Sequence, residues 1–463
     1  MDTSSIKIIT CNQNSMGINS YVIIFQDYSI VIDPNNFDEI EKALNGTKFE
    51  YIFLTHEHFD HIMSVDKLRE KYQVKVIAQK FTNKNIQASS KNLSKFSEII
   101  FDFMKKTSTS KIEEFSINCS DIEYDDSYIL DWHGQTFFFK HTPGHSEGSS
   151  CIYVNNYLFT GDSLFEAVDT SFLGGRRAKI DYLNITMPFF YSLDKKMQVF
   201  AGHYDSFVLE DKLCAKEKAI EIYNNRVSHS NCYMNYNEFI ELIEKNDFIV
   251  RNNSIFIIVN QNSFYRFYFF INDYEELKNL NSFFYFYRKP IVLEIISNIQ
   301  VNESFYSKIG FKPYKIYSRY RTDKKNKNFD TVKIANIGDI EEISKLINDT
   351  FDSLSDYIPS NDELIELILK KEVYIIKVDN KLAGVSIYEK RDKNYYFRLS
   401  CVHQNHRPGL IGYMLASTSP QNGSNYFTWI DDNNFEAIKL NTFLGYKIDG
   451  TKNYIFVKNK EII

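Results

Sequence analysis

A chain of 463 residues exceeds what one ordinary core organises, so two or three domains are expected. Hydrophobic residues at 43% and charged residues at 25% exclude a largely disordered chain. With 54 Lys plus Arg against 60 Asp plus Glu, the net charge of −6 speaks against a nucleic-acid-coating or anionic-membrane protein.

The opening MDTSSIKIITC has no charged start followed by an apolar stretch, and no apolar run approaches the ~18 residues a membrane span needs. A cytoplasmic protein with no membrane and no nucleic-acid partner is expected. Residues 1–205 alternate short apolar strands with amphipathic helices. Strands are predicted at 21–25, 29–33, 51–55, 74–78, 136–141, 158–160 and 198–201. Helices are predicted over 60–72 and 94–104, the latter with Phe96, Ile99, Ile100 and Phe103 at helical spacing. Residues 210–225 read as one connecting helix. From Asn231 the texture turns to long aromatic strands, at 264–271 and 291–296, almost without glycine. The polar stretch TDKKNKN at 322–328 reads as a solvated linker, and 332–463 as a self-contained α/β unit. The cysteines, Cys11, Cys119, Cys151, Cys214, Cys232 and Cys401, include no CxxC pair and read as scattered reduced thiols.

Histidine and glycine are uneven. Seven of the ten histidines lie between His56 and His203, and seven of the 17 glycines between Gly134 and Gly202. FLTHEHFDHI places His56, His58, Asp60 and His61 directly after an apolar strand. A strand that opens into a loop and helix start can converge several side chains on one point, as a metal requires. Imidazoles with a carboxylate suit zinc or another borderline divalent ion. Three later strands each run into a glycine-marked turn with one more ligand-type residue: His145 in HTPGHSEGS, Asp162 in LFTGDSLF and His203 in VFAGHYDSF. His133 and His141, outside that set, read as ordinary core or surface residues.

In this order, HxHxDH, the His of PGH, the Asp of GD and the His of GH resemble the metallo-β-lactamase-fold hydrolases over residues 5–208. INSYVIIF before IVIDP is similar to that family's opening hairpin and its Asp33 position. The resemblance implies an αββα sandwich with two metals in an edge cleft, zinc first, with iron or manganese open. One metal would take His56, His58 and His145, the other Asp60, His61 and His203, with Asp162 bridging. Asp60 is the expected catalytic residue, orienting the attacking hydroxide as well as binding metal. Asp162 stands where true β-lactamases tend to carry cysteine, and His58 where flavodiiron reductases carry glutamate, which disfavours both branches. GDSLF followed by FLGGRR resembles the glyoxalase II-like branch, which hydrolyses thioesters. The glutathione-binding helical segment of true glyoxalase II has no evident counterpart, so thioesters and esters both stay open. Net charge −6 disfavours the nuclease branch, and an iron persulfide dioxygenase is a further option. Arg176, Arg177 and Lys179 are placed to meet an anionic substrate tail.

Toward the C-terminus, VKIANIGDIEEISKLINDTF resembles the first strand and helix of a GNAT-type N-acyltransferase. VYIIKVDNKLAGVSIYEK resembles its next hairpin, with Asp379–Asn380 as the turn. The stretch Arg407–Gly412 stands where that family's pyrophosphate loop holds acyl-CoA, implying Arg407, Gly409 and Gly412 as cofactor-binding residues. Leu410 replaces one of the family's glycines, and Asn441 stands where a thiolate-protonating tyrosine is common. ESFYSKIGFKPYKI resembles the same family's closing segment, with Tyr306 and Gly310 intact, and suggests a degenerate first half of a tandem pair.

The expected architecture is α/β and multidomain. An N-terminal αββα metallo-β-lactamase sandwich (1–208) and a connecting helix (209–230) precede one or two GNAT-like α/β modules (231–321 and 329–463), separated by a linker (322–328). The expected function is metal-dependent hydrolysis of a small-molecule or carrier-bound acyl thioester or ester. The GNAT-like part would hold acyl-CoA or a peptide or amine substrate. Alternatives make it the main N-acyltransferase or a non-catalytic binding platform.

Overall fold

The computed structural model describes residues 5–13, 17–103, 112–225, 227–280, 283–284, 287–323, 329–391, 394–407, 409–420 and 425–459. Its N-terminal part is two six-stranded sheets face to face. The first runs in sequence order through β1 (Lys7–Gln13), β2 (Ile18–Phe25), β3 (Tyr28–Ile32), β4 (Lys48–Phe53), β5 (Lys75–Gln79) and β6 (Ile122–Tyr124). The second contains β7 (Ser127–Trp132), β8 (Gln135–His141), β9 (Ser150–Val154), β10 (Tyr157–Gly161), β11 (Gln198–Ala201) and β12 (Phe207–Val208), again neighbour to neighbour.

Alternation along the strands decides the layers. Val22 and Val31 point outward beneath the helices Phe37–Leu44 and Val65–Tyr72. Tyr21, Ile23, Ile30 and Ile32 point inward against Phe137, Phe139, Ile152 and Phe159 of the other sheet. On its far face the second sheet buries Leu158 and Val199 under Tyr182 and Phe190. This is the αββα sandwich expected from the sequence. At its centre Phe53 meets Phe137 and Phe139 edge-on, with centroids 5.4 and 4.9 Å away. Truncating so buried a ring costs about 3–5 kcal/mol.

Several sequence expectations need correction. Residues 60–72 are not one helix: Phe59–Ile62 and Val65–Tyr72 are separated at Ser64. Ser64 is held by Pro34 and Asn35 carbonyls, at 3.0 Å from its amide and 2.6 Å from its hydroxyl. That break lets Asp60 and His61 turn into the sandwich edge. The helix expected over 94–104 is a short turn Ser94–Phe96 followed by Ser97–Phe103, with Met104 outside the described residues. The connecting helix 210–225 is two, Leu209–Leu213 and Ala215–Asn225.

The larger correction concerns residues 332–463, which are not self-contained. Residues 229–459 share one twelve-stranded sheet. Its strands are β13 (His229–Ser230), β14 (Asp247–Arg251), β15 (Ser254–Asn260), β16 (Tyr265–Ile271), β17 (Ile291–Ser297), β18 (Lys312–Thr322), β19 (Lys333–Ile334), β20 (Val373–Val378), β21 (Lys381–Arg391), β22 (Asn394–Val402), β23 (Asn425–Asp431) and β24 (Lys447–Lys458). The spatial order is β14-β15-β16-β17-β24-β18-β23-β22-β21-β20-β19, with β13 beside β16. Each half thus lends its last strand to the other: β24 pairs with β17, β18 pairs with β23, and β18 and β24 pair together. Burial drives the exchange, because Ile455 and Val457 pack with Val292 and Phe264, while Tyr454 and Phe456 enter the core around Phe267 and Leu293. Thr322 belongs to β18, and residues 324–328 of the expected linker lie outside the described residues. The Asp379–Asn380 turn is as expected, both residues having positive φ of 49° and 62°.

No helix among the described residues is long and apolar enough to cross a membrane. All six cysteines are free.

Candidate metal centre

Four strand ends meet at one edge of the sandwich. β4 runs into Thr55–His61, the β8–β9 connection carries His145, β10 leads into Asp162 and β11 into His203. Backbone bonds lace these turns together: Gly202 N to Gly161 O and Asn19 N to Gly202 O, both 2.8 Å, and Ser150 N to Thr55 O, 2.7 Å. All seven residues singled out from the sequence converge there, and all but the half-buried Asp60 are buried.

Their ligand-type atoms form two groups, each within 4.8 Å: His56, His58 and His145, and Asp60, His61 and His203. Asp162 lies between them. Its Oδ2 is 3.5 Å from His145 Nε2 and 3.3 Å from His203 Nε2, and its Oδ1 is 3.4 Å from His61 Nε2. Glycine makes this approach feasible. A Cβ on Gly202 would stand 2.3 Å from Asp162 Oδ1 and 2.7 Å from His61 Cε1. Gly161 has φ of 48°, and a Cβ there would stand 2.2 Å from Thr55 Oγ1.

Neighbours outside the cluster fix the ring orientations. Asp33 Oδ2 sits 3.1 Å from His61 Nδ1, Thr55 Oγ1 3.0 Å from His56 Nδ1, and the Ser171 carbonyl 3.2 Å from His145 Nδ1. Each contact occupies one ring nitrogen and turns the other inward. Asp33, Thr55 and Ser171 were not separable in the sequence from ordinary strand-end polar residues, although Asp33 was visible as a position. Glu57 was missed altogether. It faces away from its histidine neighbours and accepts from Asn85 Nδ2 at 2.9 Å and Ser146 Oγ at 2.8 Å, joining the His145 turn to the His56–His58 loop. Strict alternation from His56 to His58 was the available signal.

Electrostatics divide the cluster in two. Burial, with neighbouring imidazoles, drives His56 well below the usual histidine range, and burial draws His58 and His145 down to about 4. Burial opposes ionisation of Asp60 and Asp162, but His61 and His203 outweigh it. Asp60 is drawn down to about 2 and Asp162 is held well below the usual carboxylate range. Burial likewise disfavours charged His61 and His203, yet Asp162 and Asp60 lift His61 well above its ordinary value and His203 to about 9.

The donors fit divalent metal ions. His56 Nε2, His61 Nε2 and Asp162 Oδ1 are buried and have no hydrogen-bond partner among the described residues. Buried polar atoms normally have one, and three such atoms converging in a His/Asp cluster match the borderline donor set of zinc or a similar ion. Of the other predicted residues, Arg176, Arg177 and Lys179 are exposed on the helix Gly175–Asp181. Arg407, Gly409 and Gly412 lie apart in the C-terminal sheet region. Arg407 Nε donates to the Val402 carbonyl at 2.6 Å, and Leu410 is 73% exposed ahead of the helix Ile411–Ser417.

An αββα sandwich with this cluster at its strand ends defines a metal-dependent hydrolase class. Residues 15–198 match the metallo-beta-lactamase superfamily, and the chain belongs to it. It is 30% identical over 167 residues to the probable metallo-hydrolase YqgX of Bacillus subtilis (strain 168), covering 34% of this chain and 72% of that one. It is 28% identical over 206 residues to the hydroxyacylglutathione hydrolase of Pelagibacter ubique (strain HTCC1062), covering 43% of this chain and 70% of that one. Across such curated relatives the chain spans between 44% and 72% of their length. Among solved structures, BLEG-1 B3 metallo-beta-lactamase is 24% identical with a TM-score of 0.37, over 45% of this chain and 97% of that one. A GNAT-family protein from Novosphingobium aromaticivorans DSM 12444 is 13% identical with a TM-score of 0.30, over 38% of this chain and 76% of that one.

Proposed function

We propose that residues 1–208 form a dinuclear metal-dependent hydrolase that cleaves acyl thioesters or esters. The observation that carries the reading is the convergence of a His triad and an Asp/His triad, with Asp162 between them and with His56 Nε2, His61 Nε2 and Asp162 Oδ1 lacking a hydrogen-bond partner among the described residues. His56, His58 and His145 would hold one ion and Asp60, His61 and His203 the other, with Asp162 between. Zinc is the expected ion, while iron and manganese suit similar donors. Such a pair supplies Lewis acidity, lowering the pKa of a bound water toward neutrality and polarising a carbonyl. Asp60, held ionised by its histidine neighbours, accepts a hydrogen bond from the attacking water and orients it. Arg176 and Lys179, whose guanidinium and ammonium groups face solvent, would meet an anionic portion of the substrate. The likeness to hydroxyacylglutathione hydrolase favours thioesters over other acyl compounds.

We further propose that residues 231–321 and 329–463 form a GNAT-like platform with one slot for acyl-CoA. The supporting feature is a pair of parallel strands that diverge. β22 and β23 pair only at Asn394↔Asn425, Tyr395↔Tyr426 and Tyr396↔Phe427. In the first half β16 and β17 diverge after Phe267↔Leu293, but Asn231 bridges that gap, donating to Phe267 O and Glu294 O and accepting from Phe269 N. The first-half gap is thereby filled by its own chain, which leaves the second half as the candidate slot.

The test is thiol release by the full chain from lactoylglutathione, acetyl-CoA and a longer acyl-CoA, after chelation and after zinc reconstitution. The reading expects turnover that chelation abolishes and zinc restores. Absence of thioester or ester hydrolysis by fully metal-loaded protein contradicts it. Calorimetry with acetyl-CoA on the same protein tests the slot, for which no heat is the contrary result.

A further inference from the structure

The C-terminal sheet grips the ligand-bearing loops through one side chain. Arg251 closes β14, and its side chain is 14% exposed. Its Nε donates to Glu166 Oε1 at 2.9 Å and its Nη2 to Glu166 Oε2, a bidentate pair, while Nη1 lies 3.4 Å from Asp205 Oδ2. Glu166 follows Asp162 by four residues, and Asp205 follows His203 by two. One guanidinium therefore ties together the two loops whose Asp162 and His203 stand 3.3 Å apart. A rigid planar fork with several donors suits such a double grip, where a single ammonium point charge would not.

The Asp162–Thr170 loop is engaged on both sides of this clamp. Phe165 meets the rings of His203 and Tyr204 edge-on, with centroids 6.1 and 6.0 Å away. Ala167 packs against the core of the C-terminal sheet. Thr170 Oγ1 donates back to the Asp162 carbonyl at 2.6 Å. Beside the clamp lies a cavity of about 610 Å³ bordered by Tyr204, Asp205, Arg251, Asn252 and Lys278. Beside the apolar contact of Ala167, charged side chains span the seam. Glu166, with its side chain 7% exposed, would be left as a buried unpaired carboxylate without Arg251.

We infer that Arg251 is a positioning residue for the metal centre: by holding Glu166 and Asp205 it fixes the spacing of Asp162 and His203. The C-terminal region then completes the ligand geometry of the N-terminal one. The inference rests on the metal reading of the His/Asp cluster. Direct outer partners of metal ligands typically account for about 10- to 100-fold in metal affinity, which bounds from above the effect of Arg251, one contact further out.

Titration of the metal-free full chain with Co²⁺, followed by visible absorption, reads the two positions as separate steps. Because Asp162 serves both positions and His203 only one, Arg251→Ala is expected to weaken the His56/His58/His145 step less than the other. The Asp60/His61/His203 step should weaken by about 10-fold, with an altered spectrum for that step. Arg251→Lys should fall between Arg251→Ala and wild type. Glu166→Gln, which keeps the side-chain size, should show the same unequal loss, and it carries the test if Arg251→Ala does not fold. Two steps identical to wild type, or equal losses at both, overturn the inference. Failure of the wild-type chain to take up Co²⁺ overturns the metal reading itself.

Discussion

Asp33 places its Oδ2 3.1 Å from His61 Nδ1 while accepting the Thr55 amide and hydroxyl at 2.8 and 2.5 Å. The carboxylate thereby decides which ring nitrogen of His61 faces Asp60 and Asp162. Asparagine has the same shape but offers a donor in place of one acceptor. For Asp33→Asn we expect a retained fold and metal affinity lower by about 10- to 100-fold, measured by equilibrium dialysis against zinc. Unchanged affinity would limit Asp33 to a folding role.

Gly202 separates ligand assembly from folding. The Cβ of Gly202→Ala must displace the Asp162 carboxylate or the His61 ring, at 2.3 and 2.7 Å. Overpacking of this kind costs about 1–3 kcal/mol. The circular dichroism spectrum should stay that of the wild type, while metal content drops. Full metal content in that variant would show that the cluster tolerates the displacement.

The two halves of the cluster give the metal-free protein a stability optimum. Burial lowers His58 and His145 from 6.5 to about 4, so their contribution is present above 6.5 and lost as pH falls toward about 4. For His203 burial is outweighed by Asp162 and Asp60. Its raised value of about 9 gives a contribution present below 6.5 and lost as pH rises toward about 9. Melting temperature of the metal-free protein should therefore peak near pH 6.5 and decline on both sides. Metal replaces the proton on His203, so the alkaline decline should flatten in loaded protein and loading at neutral pH should release protons. A metal-free profile flat from pH 4 to 9 would contradict these assignments.

Strand exchange makes the C-terminal sheet one folding unit. β24 supplies Tyr454, Ile455, Phe456 and Val457 to cores built mostly by the first half. A chain ending before β24 should lose both halves together, seen as loss of the same calorimetric transition and rapid proteolysis from residue 229 onward. A first half that still melts cooperatively in that truncation would argue against the pairing.

The seven cluster residues were legible because four share one short segment, FLTHEHFDHI, and the other three sit in short, glycine-marked strand ends. Their supports were not. Asn19 braces the His203 turn across 182 and 185 residues, donating to Ala201 O and Tyr204 O. Arg251 reaches Glu166 across 85. Nothing near Asn19 or Arg251 in the chain announces those partners. The break at Ser64 was hidden for a related reason, since apolar spacing continues through it and only the Pro34 and Asn35 carbonyls stop the helix. The layered sandwich followed from strand periodicity. The exchange of β18 and β24 did not, because the partners are remote in the chain: Asn453 meets Glu294 across 159 residues.

The two triads together should build a two-metal centre. Elemental analysis of the full chain purified without chelators, beside His58→Ala, tests it most directly. Two divalent ions per wild-type chain are expected, one in His58→Ala, and loss of hydrolytic turnover with the second. A variant with full metal content and undiminished activity, or a wild-type chain that binds no metal, would contradict it.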